Sequence, residues 1–332
     1  MDEFLLEGHE DLEISTQIII REARHLGLEV EILDRPANFL RLKKGNHIEY
    51  IKEASKTRLD SYMTYLMMEN KTVSKLVLSE SGLRVPKGES FDNRLEADLS
   101  YSRFASIKKV IKPVTTNFGI GIYVSPQNES EPEFKKKIRS AFEYAPTIII
   151  EEFLEGPEYR FLVLGDQVAA VCNRVPANVT GDGVHTIAEL VDRKNEDPRR
   201  GQGHTTPLER IQKSEIETDH LRTQNLSWDS IPEPEKVIYL RTNSNISTGG
   251  DSLDFTESVH PEYKKIAIEA AKSVGAAICG VDIISSDIQA LPTEGNHGIL
   301  EVNFNPVLYI HDFPFQGKNR KVGLGVLKLL GF

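Results

Sequence analysis

GILEVNFNP, residues 298–306, alternates apolar and polar side chains. A period of two places Leu300, Val302 and Phe304 on one face of a strand and Glu301, Asn303 and Asn305 on the other. Upstream, CGVDII (279–284) is an apolar run interrupted by Asp282, an acid between Val281 and Ile283, which both favour burial. The intervening DIQALPTEGN (287–296) has the composition of a turn. The two runs are therefore expected to pair antiparallel, with Asp282 opposite Glu301 and Asn303. Two carboxylates and an amide oxygen are hard donors that suit magnesium better than zinc. On spacing alone the pattern fits an edge hairpin with one solvated face equally well.

Three other segments have the residue types of a nucleotide site. In VIKPVTTNFGIGI (110–122), Lys112 ends a strand and is followed by Pro113, Thr115, Thr116, Gly119 and Gly121. Glycine lets backbone N–H groups approach phosphate oxygens, hydroxyls add donors and the lysine neutralises charge. The spacing is neither a P-loop nor a Rossmann fingerprint, and a plain glycine hairpin would look the same. TIIIEEFLEGPEYRFLVL (147–164) runs a buried strand into Glu151, Glu152, Phe153 and Leu154, then through a Gly-Pro turn to Glu158. That carboxylate is placed either to accept from ribose hydroxyls or to sit on a solvated turn. In YLRTNSNISTGGD (239–251), Arg241 follows an apolar strand, where its guanidinium would steady a phosphate or carboxylate or else lie on the surface.

Periodicity predicts a helix from Asp11 to Leu28 ending at Gly27, a strand Val30 to Leu33, and a helix Glu69 to Ser81 ending at Gly82. Strands are expected at Ser106 to Ile111, Gly121 to Val124, Thr147 to Glu152, Tyr159 to Leu164 and Val168 to Val175, with a charged helix at Glu133 to Ala145. Residues 176–210 form a polar excursion around one short helix, a length that favours a functional segment. A strand at Val237 to Leu240 and a helix at Pro261 to Val274 precede the two apolar runs. The order predicts an α/β (α+β) fold in three parts, 1–68, 69–152 and 153–332.

With 332 residues, 39% hydrophobic and 27% charged, the chain can bury sizeable cores. Its net charge of -10 argues against nucleic-acid or anionic-membrane partners. Cys172 and Cys279 each sit in an apolar run and read as core residues of a reducing compartment. The acidic start MDEFLLEGHEDLE lacks the basic residues and apolar run of a signal peptide, so a cytoplasmic location is expected.

Taken in order, these segments resemble the ATP-grasp superfamily. KPVTTNFGIGI (112–122), RVPANVTGDGVHTIAELV (174–191), DPRRGQGHTTPLERI (197–211), LRTNSNISTGGDSLD (240–254), CGVDII and ILEVNFNP are similar to the glutathione synthetase half of the bacterial bifunctional glutamate–cysteine ligase/glutathione synthetase family. EISTQIIIREARHLGLEVEILDR (13–35) extends that likeness to nearly the whole chain. Cyanophycin synthetase is the next nearest, through the GDG…TI.EL, RG.GH and STGG patterns.

The resemblance implies two α+β subdomains, 69–152 and 153–332, clamping ATP, with 1–68 as a small α/β unit before them. Lys112 would contact adenine and the α-phosphate, and the Gly119/Gly121 loop would cover the phosphates. Glu151, Glu152, Phe153 and Leu154 would line the adenine and Glu158 would hold the ribose. Lys75 would be the second nucleotide-side lysine, with Lys71 as the alternative. Asp282 and Glu301 would bind one magnesium and Glu301 and Asn303 another, manganese being able to substitute. Arg241 would stabilise the transferring phosphoryl group, and 181–204 would be a lid.

The implied reaction joins γ-glutamylcysteine to glycine through an acyl phosphate, with ATP converted to ADP and phosphate. Two alternatives stand beside it: a related ligase with another carboxylate or amine, and a nucleotide-binding module without turnover. Small-molecule substrates are the expected partners, and a homodimer is compatible with the resemblance. The γ-glutamylcysteine-forming half has no counterpart in these residues. NPVLYIHDFPFQGKNR (305–320), with Asp312 beside His311, leaves the amine open.

Overall fold

The computed structural model describes residues 4–114 and 121–332. A five-stranded antiparallel sheet organises the larger part of the chain, in the order Asp251–Asp254, Gln167–Val175, Glu158–Leu164, Ile278–Ser285, His297–Asn303. Its inner strands are apolar on both faces because both faces are covered. Tyr159, Phe161 and Val163 pack with Cys279, Val281 and Ile283 under the helix Pro261–Ser273. Leu162, Leu164 and Ile278, one residue out of step, pack on the other face against the helices Ile14–His25 and Val322–Leu329. The N-terminal sheet, Glu29–Asp34, Phe39–Lys44 and His47–Lys52, joins that same core through Leu40, Leu42 and Ile51.

A second, four-stranded antiparallel sheet runs Gly88–Phe91, Ile148–Glu152, Lys109–Pro113, Tyr123–Ser125. Ile111, Ile148 and Ile150 turn to the helix Glu131–Phe142 and its Phe134 and Ile138. Alternation then sends Lys112, Ile149 and Glu151 to the opposite face.

The helix expected from Glu69 to Ser81 is seen at Lys71–Glu80, and a further helix not expected from the sequence, Tyr62–Glu69, precedes it. Asn70 is the break: its backbone is extended and its Oδ1 accepts from Thr72 N at 3.1 Å and Val73 N at 3.2 Å, capping the second helix. The polar excursion folds around a small core of Ala177, Val179, Ile187, Val191, Ile211, Leu221, Ile238 and Leu240. The helix expected within it is seen at Ile187–Lys194, and a second helix, Glu215–Thr223, follows it in the same small unit, started by a capping box between Ser214 and Glu217. Both cysteines are buried and unpaired, and burial pushes both thiols up. Among the described residues no helix is long and apolar enough to cross a membrane.

Candidate active site

Asp282 and Glu301 face each other across the strands Ile278–Ser285 and His297–Asn303, and Asn303 pairs with Gly280. The register slips between Asp282 and Ile283, whose partners are Glu301 and Ile299, so Leu300 is an extra residue. The bulge corrects the expected alternation. Val302 and Ile299 fill the core, whereas Leu300 leaves the packed row and lines a cavity of about 730 Å³. Asn305 also departs from the polar face: at φ 51° it turns toward the N-terminal unit, donating to Glu53 at 2.8 Å and accepting from Ser55 at 2.7 Å.

The three polar residues thus converge, but not as equals. Asn303 Nδ2 donates to Glu301 Oε1 at 3.0 Å and to Asp282 Oδ2 at 3.2 Å. Glu301 and Asn303 line the cavity, with the Glu301 side chain 28% exposed and Lys71 Nζ 3.7 Å from its Oε2. Asp282, whose side chain is 1% exposed, lies behind them. Its carboxylate accepts from Arg160 Nε and from Arg160 Nη2 at 2.7 Å, and from Arg174 Nη2 at 2.9 Å. Burial by itself would raise the Asp282 carboxyl, but Arg160 and Arg174 outweigh it and hold the group below the usual carboxylate range. Oxygen donors only, two of them anionic, fit a hard divalent cation. Among the described residues no three His, Cys, Asp or Glu side chains form a metal-binding group, so such a site depends on Asn303 as its third donor.

The opposite wall comes from the four-stranded sheet. Glu151 is buried between two lysines: Lys112 Nζ is 2.6 Å from its Oε1, and Lys75 pairs with Oε2. Lys112 lines the large cavity, while Lys75 and Glu151 line a neighbouring one of about 580 Å³. Lys71 and Lys75, one helical turn apart, therefore divide: Lys71 lines the Glu301 cavity and Lys75 meets Glu151. Burial and the charge of Lys112 push the Lys75 ammonium down to about 8, against the pull of Glu151. Lys112 is held above its ordinary value, because Glu151 and Glu301 outweigh its burial. Within this cluster Lys75 is the ammonium that is pushed down. A polyphosphate drawing on both charges is expected to bind more weakly as pH rises through about 8, and Lys75→Arg should remove that step. Calorimetric ATP titration between pH 7 and 9.5 checks this; an unchanged affinity in wild type would remove Lys75 from the nucleotide site.

Glu158 lines the same cavity, paired with Arg174 and accepting from Ser244 Oγ at 2.5 Å. Glu152 is held by Arg84 at 2.7 Å and by Lys87 N at 2.6 Å. Lys108 Nζ stands 4.0 Å over the Phe153 ring, and Leu154 fills the space that Gly298 leaves open. Gly121 has φ +74°, and a Cβ there would lie 2.8 Å from Pro113 Cγ. Gly119, with Thr115 and Thr116, lies outside the described residues.

Arg241 is placed apart. It pairs with Glu217 of the helix Glu215–Thr223 and lines a separate cavity of about 230 Å³. Thr242 and Asn243 border both that cavity and the large one. His311 and Asp312 are buried. Asp312 Oδ1 accepts from Val322 N at 2.8 Å and so caps the last helix. Sequence reasoning missed Arg160 and Arg174 as site residues. The signal for Arg160 is a charge inside EYRFLVL, on the face that Asp282 must share once the two strands pair.

Two domain families match the ends of this framework: an ATP-grasp-like domain over residues 10–63 and a RimK-like ATP-grasp domain over residues 240–312. The chain has an ATP-grasp fold. It is 52% identical over 328 residues to the glutathione biosynthesis bifunctional protein GshAB of Clostridium perfringens, a match covering 99% of this chain and 42% of that protein. The GshAB protein of Listeria innocua is 50% identical over 331 residues, 98% of this chain and 42% of the relative. The crystal structure of a bifunctional glutathione synthetase from Pasteurella multocida superposes with a TM-score of 0.81 at 44% identity, over 98% of this chain and 45% of that one. The ATP-grasp chain thus spans less than half the length of the relatives it matches.

Proposed function

We propose that the chain is an ATP- and magnesium-dependent carboxylate–amine ligase that completes glutathione, joining γ-glutamylcysteine to glycine. What supports this is one cavity with Lys112 on one wall and Glu301, Asn303, Glu158 and Arg174 on another, in a chain about half identical to proteins of glutathione biosynthesis. In this reading 69–152 and 153–332 clamp the nucleotide, with 1–68 before them. Lys112 and Lys75 meet the phosphates, Glu151 to Leu154 border the adenine, and Glu158 holds the ribose once it exchanges Ser244 for it.

Asp282, Glu301 and Asn303 would hold the magnesium, as two ions sharing Glu301. When bound, the metal neutralises the charge that builds on ATP's phosphates. The donor carboxylate becomes an acyl phosphate, which the amine attacks to form the amide. Residues 181–204, part of the small unit that borders the cavity through Thr242 and Asn243, would keep water from that intermediate. ADP release is the test, with γ-glutamylcysteine, magnesium and a panel of amino acids. Glycine-dependent turnover is the expected result. Turnover with another amine only would reassign the acceptor, and ATP binding without turnover would leave a nucleotide-binding module.

A further inference from the structure

Arg174 stands at the end of the strand Gln167–Val175, between Glu158 on one neighbouring strand and Ser252 on the other. Its side chain borders the large cavity beside Glu301, Asn303 and Ser244. A single nitrogen, Nη2, carries both of its ion pairs, to Asp282 and to Glu158. Nε is buried and has no hydrogen-bond partner among the described residues. A buried guanidinium N–H without an acceptor is costly, and folded chains seldom keep one without a use for it.

Arg200 also has a buried Nε without a hydrogen-bond partner among the described residues, but it is paired with Asp251 and does not line the cavity. Arg160 grips Asp282 with both Nε and Nη2 and is not among the residues lining the cavity. Gly280 lets it lie there, since a Cβ at that position would sit 2.7 Å from Arg160 Cδ. Arg241 is committed to Glu217 in the neighbouring unit. Asp282 thus already has a full partner in Arg160, and Arg174 is the arginine that both borders the cavity and keeps an N–H without an acceptor.

We propose that Arg174 is a catalytic residue whose guanidinium meets a substrate oxyanion, either the donor carboxylate or the phosphoryl group in transfer. The assignment rests on the ligase reading above. In the first step a carboxylate oxygen of the donor attacks the γ-phosphorus of ATP. The bond from that phosphorus to the β–γ bridging oxygen breaks, and the oxygen leaves with the electron pair as ADP; no proton moves. Negative charge shifts across the γ-phosphoryl oxygens during this step, and a planar donor already fixed by Asp282 and Glu158 stabilises it without reorganising.

Arg174→Lys keeps a cation beside Asp282 and Glu158 but lacks the fork, and Arg174→Gln keeps donors without charge. The two variants and wild type are compared in melting temperature, in kcat, and in KM for ATP and for γ-glutamylcysteine separately. Arg174→Lys is expected to melt near wild type and to lose about 10²-fold in kcat/KM. A fall in kcat with both KM values kept assigns the contact to the phosphoryl group. A rise in KM for γ-glutamylcysteine with kcat kept assigns it to the carboxylate. Turnover within about twofold of wild type, or a loss confined to KM for ATP, overturns the proposal. Calorimetric binding of γ-glutamylcysteine, and of inorganic phosphate with ADP, is read independently of turnover. At least about tenfold weaker binding of one of them in Arg174→Lys is expected, and equal affinities overturn the assignment. A wild-type chain that releases no ADP defeats the ligase reading, while the binding measurement still decides Arg174.

Discussion

Glu301→Ala is expected to lose on the order of 10³-fold in ADP release, the several kcal/mol that a bound metal contributes to a charged transition state. The same variant should unfold within about 1 kcal/mol of wild type. Glu301 is 28% exposed on a cavity wall, accepts from Asn303 at 3.0 Å, and has Lys71 Nζ at 3.7 Å. Its removal therefore takes away a donor without opening the core. Turnover is read by coupled ADP release and stability by urea unfolding. Near-normal turnover in the variant would remove Glu301 from the metal site.

Asp282→Ala should behave in the opposite way in the unfolding experiment, losing about 3–5 kcal/mol. The carboxylate is buried, and both Arg160 and Arg174 depend on it for compensation. Deleting it leaves Arg160 without its paired acceptor and Arg174 with Glu158 only. Asp282→Asn keeps an oxygen acceptor and should recover part of that loss. Adding Arg160→Met to Asp282→Ala should also restore stability, because the orphaned charge goes with its partner. A urea midpoint unchanged in Asp282→Ala would show that the arginines find other partners. Glu301 and Asp282 are thus separable, one weighted toward turnover and the other toward folding.

Much of the framework was legible locally. Apolar runs bounded by turns in TIIIEEFLEGPEYRFLVL and QVAAVCNRV identified the strands to within a residue or two. The pairing of Asp282 with Glu301 followed from two apolar runs and a turn between them. Several elements escaped, among them the strands Phe39–Lys44 and His47–Lys52, the helices Tyr62–Glu69, Arg94–Leu99 and Val322–Leu329, and three further short ones, the strands Gly88–Phe91 and Asp251–Asp254 and the helix Glu215–Thr223. The strands Gly88–Phe91 and Asp251–Asp254 have four residues each, too few for a period to show. The helix Glu215–Thr223 carried a readable sign in Ser214 and Glu217, three residues apart.

The sequence by itself determined the residue types of the site and their placement on strands: the acids and amide at 282, 301 and 303, the lysine at 112 and the carboxylate at 158. Strand periodicity is a local property, enforced by the backbone wherever one face must be buried. Only the tertiary structure decided which of these side chains reach the cavity. The bulge at Leu300 turns an expected core residue outward, because the extra residue breaks the alternation between Ile299 and Val302, which both stay in the core. Arg160 and Arg174 meet Asp282 across 122 and 108 residues of chain, a juxtaposition set by strand order rather than by anything near them in sequence. Asp282 comes from CGVDII, and Glu301 and Asn303 come from GILEVNFNP. The strands packed beside it decide that Glu301 and Asn303 face the cavity while Asp282 holds two arginines behind them.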